Sequence, residues 1–184
     1  MSLIKPFSGI RPKKKFAKQV TSPNLSYIDN YKLTKKLNFV NLLNTSNINK
    51  SKKILQSIND KGIIHQDQSD HFYLYRITYN KKKLLGIVGK INLENYDDKK
   101  ILGHEETFEE RIKKRKEQLL KFNSQISPIY TTYKSKPKYL GKLKNFFKFK
   151  PDYNFKSKDK CRHELWVVKK SNIEKLLLKY LKNI

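Results

Sequence analysis

The spacing of apolar residues predicts short strands and three amphipathic helices. The clearest two-residue period runs over His71–Tyr79, placing Tyr73, Tyr75, Ile77 and Tyr79 on one face. Asn80–Lys83 supplies a turn. Leu84–Leu93 is nearly all apolar, as a central strand covered on both faces would be, so the two stretches predict a hairpin. Further short strands are expected over Ile4–Arg11, stopped by Pro12, and over Gln19–Thr21, Asn38–Leu43, Ile101–His104 and Ile126–Tyr133, with Lys13–Lys15 as a solvated turn. His163-Glu164-Leu165-Trp166 begins another strand, with Trp166 anchoring the core.

Helical spacing appears first at Ile54, Leu55 and Ile58, predicting a helix over Lys50–Asn59 capped by Gly62. Thr107 and Glu110 form a Thr-x-x-Glu capping box, followed by Phe108, Ile112, Leu119 and Phe122 on one stripe. Ser171-x-x-Glu174 opens the last helix, with Ile173, Leu176, Leu177, Tyr180 and Leu181 as its buried face. The fold class expected is α+β, a small mixed sheet with a central hairpin and flanking helices. The expected organisation is a domain over 1–133, a variable insertion over 134–160 and a strand and helix over 161–184. Lysines interleave with Tyr139, Phe146, Phe147, Phe149, Tyr153 and Phe155 across that insertion, without clean periodicity.

Composition narrows the class. The chain has 184 residues, 37% of them hydrophobic, enough to build a packed core. No apolar run could span a bilayer, and the first residues lack a signal-like stretch. Cys161 is the single cysteine, which excludes a disulfide framework or a Cys-based zinc cluster and points to the cytoplasm. Its neighbours Lys160 and Arg162 favour thiolate, yet no paired base can be argued from spacing, and an ordinary thiol is expected.

Charge changes the picture more. Lys and Arg number 42 against 16 acids, a net charge of +26. Such a field attracts nucleic acid, anionic lipid or phosphorylated metabolites. Only five of the 42 cations are arginine, the residue best shaped to grip phosphate. Lys, Asn and Ile are also the residues of AT-rich codons, so coding bias is one account of the basicity and polyanion binding the other.

The densest polar cluster is Gly103-His104-Glu105-Glu106-Thr107, at a predicted strand-to-helix junction. A helix start offers unpaired N–H groups and the positive end of the dipole. Arg115 falls inside the apolar stripe, on the face predicted to be buried, where a guanidinium needs a carboxylate or phosphate partner. One reading is a phosphate or nucleotide pocket with His104 or Glu105 as proton acceptor and Arg115 as charge clamp. The other is a capped helix whose arginine snorkels to water or pairs with Glu105. A carboxylate beside a helix start and arginines has its pKa pushed down, which weakens it as a base but still lets it orient a hydroxyl or hold a metal. His65 and His71 are expected at the surface. No Walker loop, Gly-x-Gly-x-x-Gly or His-Glu-x-x-His motif is present. The Lys/aromatic segment has the composition for binding single strands by charge and stacking.

Several fragments line up in order: Phe7-Ser8-Gly9-Ile10-Arg11-Pro12, Val20-Thr21-Ser22-Pro23, Asp60-Lys61-Gly62-Ile63-Ile64 on to Asp67, Phe72-Tyr73-Leu74-Tyr75, His104-Glu105-x-Thr107, Arg115, Ser127-Pro128-Ile129-Tyr130 and His163-Glu164-Leu165-Trp166. Together they resemble the ParB-like bacterial and archaeal family called domain of unknown function ten-fifteen, over nearly the whole chain. The resemblance implies a ParB/sulfiredoxin-like fold and kinship with ParB-like free-serine kinases. It implies phosphoryl transfer to a small hydroxyl metabolite, using ATP or ADP with Mg2+, and a small phosphorylated metabolite or nucleotide as partner. His104 and Glu105 would be catalytic, and Arg11, Thr107 and Arg115 phosphate-binding. A nucleic-acid-binding module using the Lys-rich surface is the alternative, and no membrane partner is expected. Gly103 stands where the family usually has proline, and Asn24-Leu25 where many members have Pro-Tyr. The family's Gly-His-His-Arg loop, expected beyond the last helix, does not occur within this sequence. The resemblance therefore implies an N-terminal portion only: a truncated product, a degenerate copy, or a fragment that a second chain completes.

Overall fold

The computed structural model describes residues 3–21, 37–42, 47–94, 101–103, 108–132, 144–157, 159–169 and 171–181. In chain order the elements are β1 (Ile4–Lys5), β2 (Ile10–Pro12), α1 (Ala17–Val20), α2 (Ile48–Asp60), β3 (Ile64–Gln66), β4 (Tyr73–Tyr79), β5 (Lys82–Val88), β6 (Lys90–Ile91), α3 (Glu109–Phe122), β7 (Tyr153–Lys156), β8 (Arg162–Val167) and α4 (Ser171–Leu181). The class is α+β. The chain forms two compact units, neither continuous in sequence: Met1–Ile10, Gln66–Leu102 and Thr131–Ile184 make the first, Arg11–His65 and Gly103–Tyr130 the second. Strands β2 and β3 pair as a two-stranded sheet.

The first unit is built on a four-stranded sheet in the order β5-β4-β8-β7, antiparallel throughout. The predicted hairpin is present. Asn80 and Lys81 both take left-handed φ, 45° and 64°, as a two-residue primed turn requires. Its second strand departs from expectation: β5 is an edge, and Leu84 and Leu85 are exposed. The central place goes to β8, which pairs Leu74 with Trp166 and Tyr75 with Leu165. Periodicity cannot foresee a pairing made about ninety residues downstream. Phe72, Leu74, Trp166, Val168, Leu177 and Leu181 form the core, with Ile173 and Leu178 of α4 packed against it. Each such burial is worth about 1.5–3 kcal/mol. The Tyr180 side chain lies outside the described part. Part of the predicted insertion is structural: β7 forms the other edge, Tyr153 is buried, and Phe146 and Phe147 pack against the core.

The second unit gathers Val20, Leu42, Ile58 and Ile63. Helix α2 starts on Asn47, whose side chain accepts from the Lys50 N–H at 3.0 Å. It ends at Gly62, φ 58°, where the Gly62 N–H donates to Asn59 O (2.7 Å) and Ile63 N–H to Ile58 O (3.1 Å). These two bonds make the Schellman cap that the glycine predicted. Two expected strands are helical turns instead: Gln19 and Val20 end α1, and Phe39–Leu42 is a 3-10 turn. Local side-chain bonds are the cause. Thr21 Oγ1 donates back to Ala17 O (2.7 Å), and Asn38 Oδ1 accepts from Val40 N–H (3.0 Å), offering the backbone partners that a ladder would have supplied. Residues 101–103 and 126–132 also lack strand structure.

Candidate functional site

Helix α3 follows the predicted polar cluster in sequence and contains Arg115, and it is turned differently from the expectation. Phe108 occupies the N-cap position, φ −57° and ψ 131°, without a side-chain cap, and Glu110 pairs with Lys114 at 2.5 Å. Thr107, the expected cap, lies outside the described residues, as do His104, Glu105 and Glu106. Of the predicted apolar stripe only Phe122 is buried. Phe108 is 73% exposed, Ile112 52% and Leu119 48%. The buried polar residue is Gln118, whose Nε2 donates to Leu42 O at 2.6 Å. That bond fixes the rotation of the helix. An amide that satisfies both a buried carbonyl and a neighbouring guanidinium can sit where an apolar residue was expected.

Arg115 is therefore exposed, not buried as the stripe implied. Its Nη1 donates to Gln118 Oε1 at 2.8 Å, and among the described residues no carboxylate neutralises it. Arg11 lies half-buried in β2. Both fall in the second unit.

The fragments around Phe7–Gly9, Asp67 and Tyr73 do converge, within the first unit. The Tyr73 hydroxyl donates to Asp67 Oδ2 at 2.7 Å and accepts from Gly9 N–H at 2.8 Å. Asp67 N–H donates to Gly9 O (3.0 Å), Ser8 Oγ donates to Asp67 O, and Phe7 and His71 exchange backbone bonds of 3.1 and 3.0 Å. A Cβ on Gly9 would lie 2.6 Å from the Tyr73 oxygen, so only glycine fits this approach. The cluster is a joint that ties the N-terminal segment to β4. His71 takes part in it, half-buried, with Nδ1 3.1 Å from Val168 O, and His65 is half-buried too; neither is the surface histidine expected.

Two polar clusters escape a reading of periodicity. Arg76 grips Glu164 bidentately, with Nε–Oε2 and Nη2–Oε1 both 2.6 Å, and its guanidinium lies against the rings of Trp166 (5.1 Å) and Phe147 (5.8 Å). The hydrogen bonds from Arg76 hold the Glu164 carboxyl below its usual range. Around buried His163, Nδ1 lies 2.5 Å from Tyr75 Oη and Nε2 lies 2.7 Å from Ser157 Oγ, with Phe155 stacked on the ring. Burial lowers the His163 pKa against an opposing pull from Asp159, and burial first, then Cys161 and Asp159, push the Tyr75 hydroxyl up to about 12. A neutral imidazole satisfies the chain when Tyr75 donates to Nδ1, Nε2–H donates to Ser157, and Ser157 donates to Asp159. The Cys161 thiol is pushed up by burial and then by Asp159, against the pull toward thiolate expected from its basic neighbours. Alternation placed Tyr75 and His163 on strand faces, but only the β4–β8 register could join them.

Among the described residues no group of three or more His, Cys, Asp or Glu side chains is placed to hold a metal ion. No described helix is long and apolar enough to cross a membrane. No curated protein and no solved structure matches the chain. Residues 4–184, however, match the family described as Protein of unknown function (DUF1015). With that match covering both units and the fragments that suggested it, the chain belongs to the DUF1015 family.

Proposed function

We propose that this protein binds a phosphate-bearing small molecule, a nucleotide or phosphorylated metabolite, as a ParB-like phosphotransferase does. The observation that carries the reading is Arg115. Arg76 is locked onto Glu164, whereas among the described residues the Arg115 guanidinium meets a neutral amide and no carboxylate. A cation so placed suits a phosphate group. His104, Glu105 and Thr107 stand in the sequence just ahead of α3, whose first turn has N–H groups without helical partners. In this reading Arg11, Thr107 and Arg115 bind phosphate, and Glu105 or His104 receives the proton of the attacking hydroxyl. ATP or ADP with Mg2+ is the phosphoryl carrier, and Glu105 is the carboxylate available to the ion.

Thermal unfolding with and without ATP or ADP and Mg2+ tests the reading. Nucleotide at a hundred times its Kd stabilises by about 2.7 kcal/mol, visible as a rise in Tm. The shift should vanish in Glu105→Gln and fall in Arg115→Gln. No shift with any nucleotide, or an undiminished shift in both variants, would overturn it.

A further inference from the structure

The exposed face of α3 combines features that a small-molecule pocket does not need. Phe108, Arg111, Ile112, Arg115, Lys116 and Leu119 fall within one arc of the helical wheel, and all six are exposed. Arg111 and Arg115 are one turn apart, about 6 Å along the axis, so each can reach a separate phosphate. Lys114 and Lys121 are paired with Glu110 and Glu117, but among the described residues Arg111, Arg115 and Lys116 have no carboxylate partner. The Arg111 guanidinium lies 5.4 Å from the Phe108 ring centre on one side of the ring, and the ring remains 73% exposed. Single-stranded nucleic acid binds exposed helix faces of this kind by phosphate contacts along the strand and by bases stacked on aromatic rings.

We infer that this face of α3 binds single-stranded nucleic acid, with Arg111 and Arg115 on phosphates and Phe108 stacking a base. The net charge of +26 supplies the long-range attraction, and the aromatic ring makes the contact more than charge.

Fluorescence anisotropy of a labelled twelve-nucleotide single strand on the full chain, over a salt series, tests this. Phe108→Ala leaves the charge unchanged and should weaken binding about tenfold, with Phe108→Trp restoring it. Arg111→Gln should lower the slope of log K against log salt by about 0.7, the value for one single-strand phosphate. Lys52→Gln/Lys53→Gln on exposed positions of α2 removes more charge yet should cost less affinity. Arg115 belongs to both readings, so Phe108 carries the distinction: the nucleotide-induced rise in Tm should survive Phe108→Ala while strand binding falls. The inference fails if Phe108→Ala binds like the parent, or if polyglutamate competes as well as the oligonucleotide. It also fails if the parent sediments as a dimer that Phe108→Ala dissolves, which would give the stripe to a second copy.

Discussion

Gly9 and Tyr73 show how closely single atoms govern this structure. The Tyr73 hydroxyl is buried and fully used, donating to Asp67 and accepting from Gly9. Tyr73→Phe leaves the Gly9 N–H without its partner and should cost about 1–3 kcal/mol in urea unfolding. Gly9→Ala must push the ring aside and should cost a similar amount. At Glu164 the sign with pH is fixed by the direction of the shift. The folded carboxyl titrates below its unfolded value, so its contribution is complete above about pH 4.3 and is lost as pH falls through the folded value. Glu164→Ala strands the Arg76 cation and should cost about 3–5 kcal/mol. His163 works in the same direction at higher pH. Its folded pKa is lowered, so stability is complete above about pH 6.5 and declines below it as the unfolded chain takes up the proton. His163→Gln should flatten that slope in a series of thermal melts from pH 5 to 7.5.

The helices and the hairpin are the elements most legible in the residues themselves. Helix α2 carries its own stop, a glycine whose positive φ no other residue adopts as readily. The β4–β5 turn asks the same conformation of Lys81, φ 64°, and there a β-carbon stands in the way. Lys81→Gly should raise stability by up to about 1 kcal/mol in thermal unfolding. The orientation of α3 was not legible. Its apolar stripe predicted burial of Ile112 and Leu119, but Gln118 and Phe122 take that role. Ile112→Ser should therefore change stability by less than about 0.5 kcal/mol, and Gln118→Ala should cost about 1–3 kcal/mol through the unpaired Leu42 carbonyl.

Across the whole chain the charge sets the largest effect. A net +26 repels itself in the folded state, and salt screens that repulsion. The Tm should rise between 10 and 150 mM sodium chloride in the absence of any ligand, and a Tm that falls would mean that attractive surface pairs dominate. The two interleaved units could not be read from composition, because each is assembled from separated segments.

Local information fixed the features that depend on neighbours a few residues apart: the α+β class, the Gly62 cap, the place of the hairpin turn and the last helix with Leu177 and Leu181 inward. The order of Phe7-Ser8-Gly9, Phe72-Tyr73 and His163-Glu164-Leu165-Trp166 was enough to assign the family, and the site residues proposed at His104, Glu105 and Thr107 rest on that order. Long-range pairing left no comparable trace in the order of residues, and only the tertiary structure decided it. The place of β8 between β4 and β7, the edge position of β5, the His163 cluster and the outward turn of Arg115 each depend on a partner dozens of residues away. Periodicity reports that a side chain is apolar every second or every third to fourth residue. It carries no information on which distant carbonyl or strand will be there to meet it.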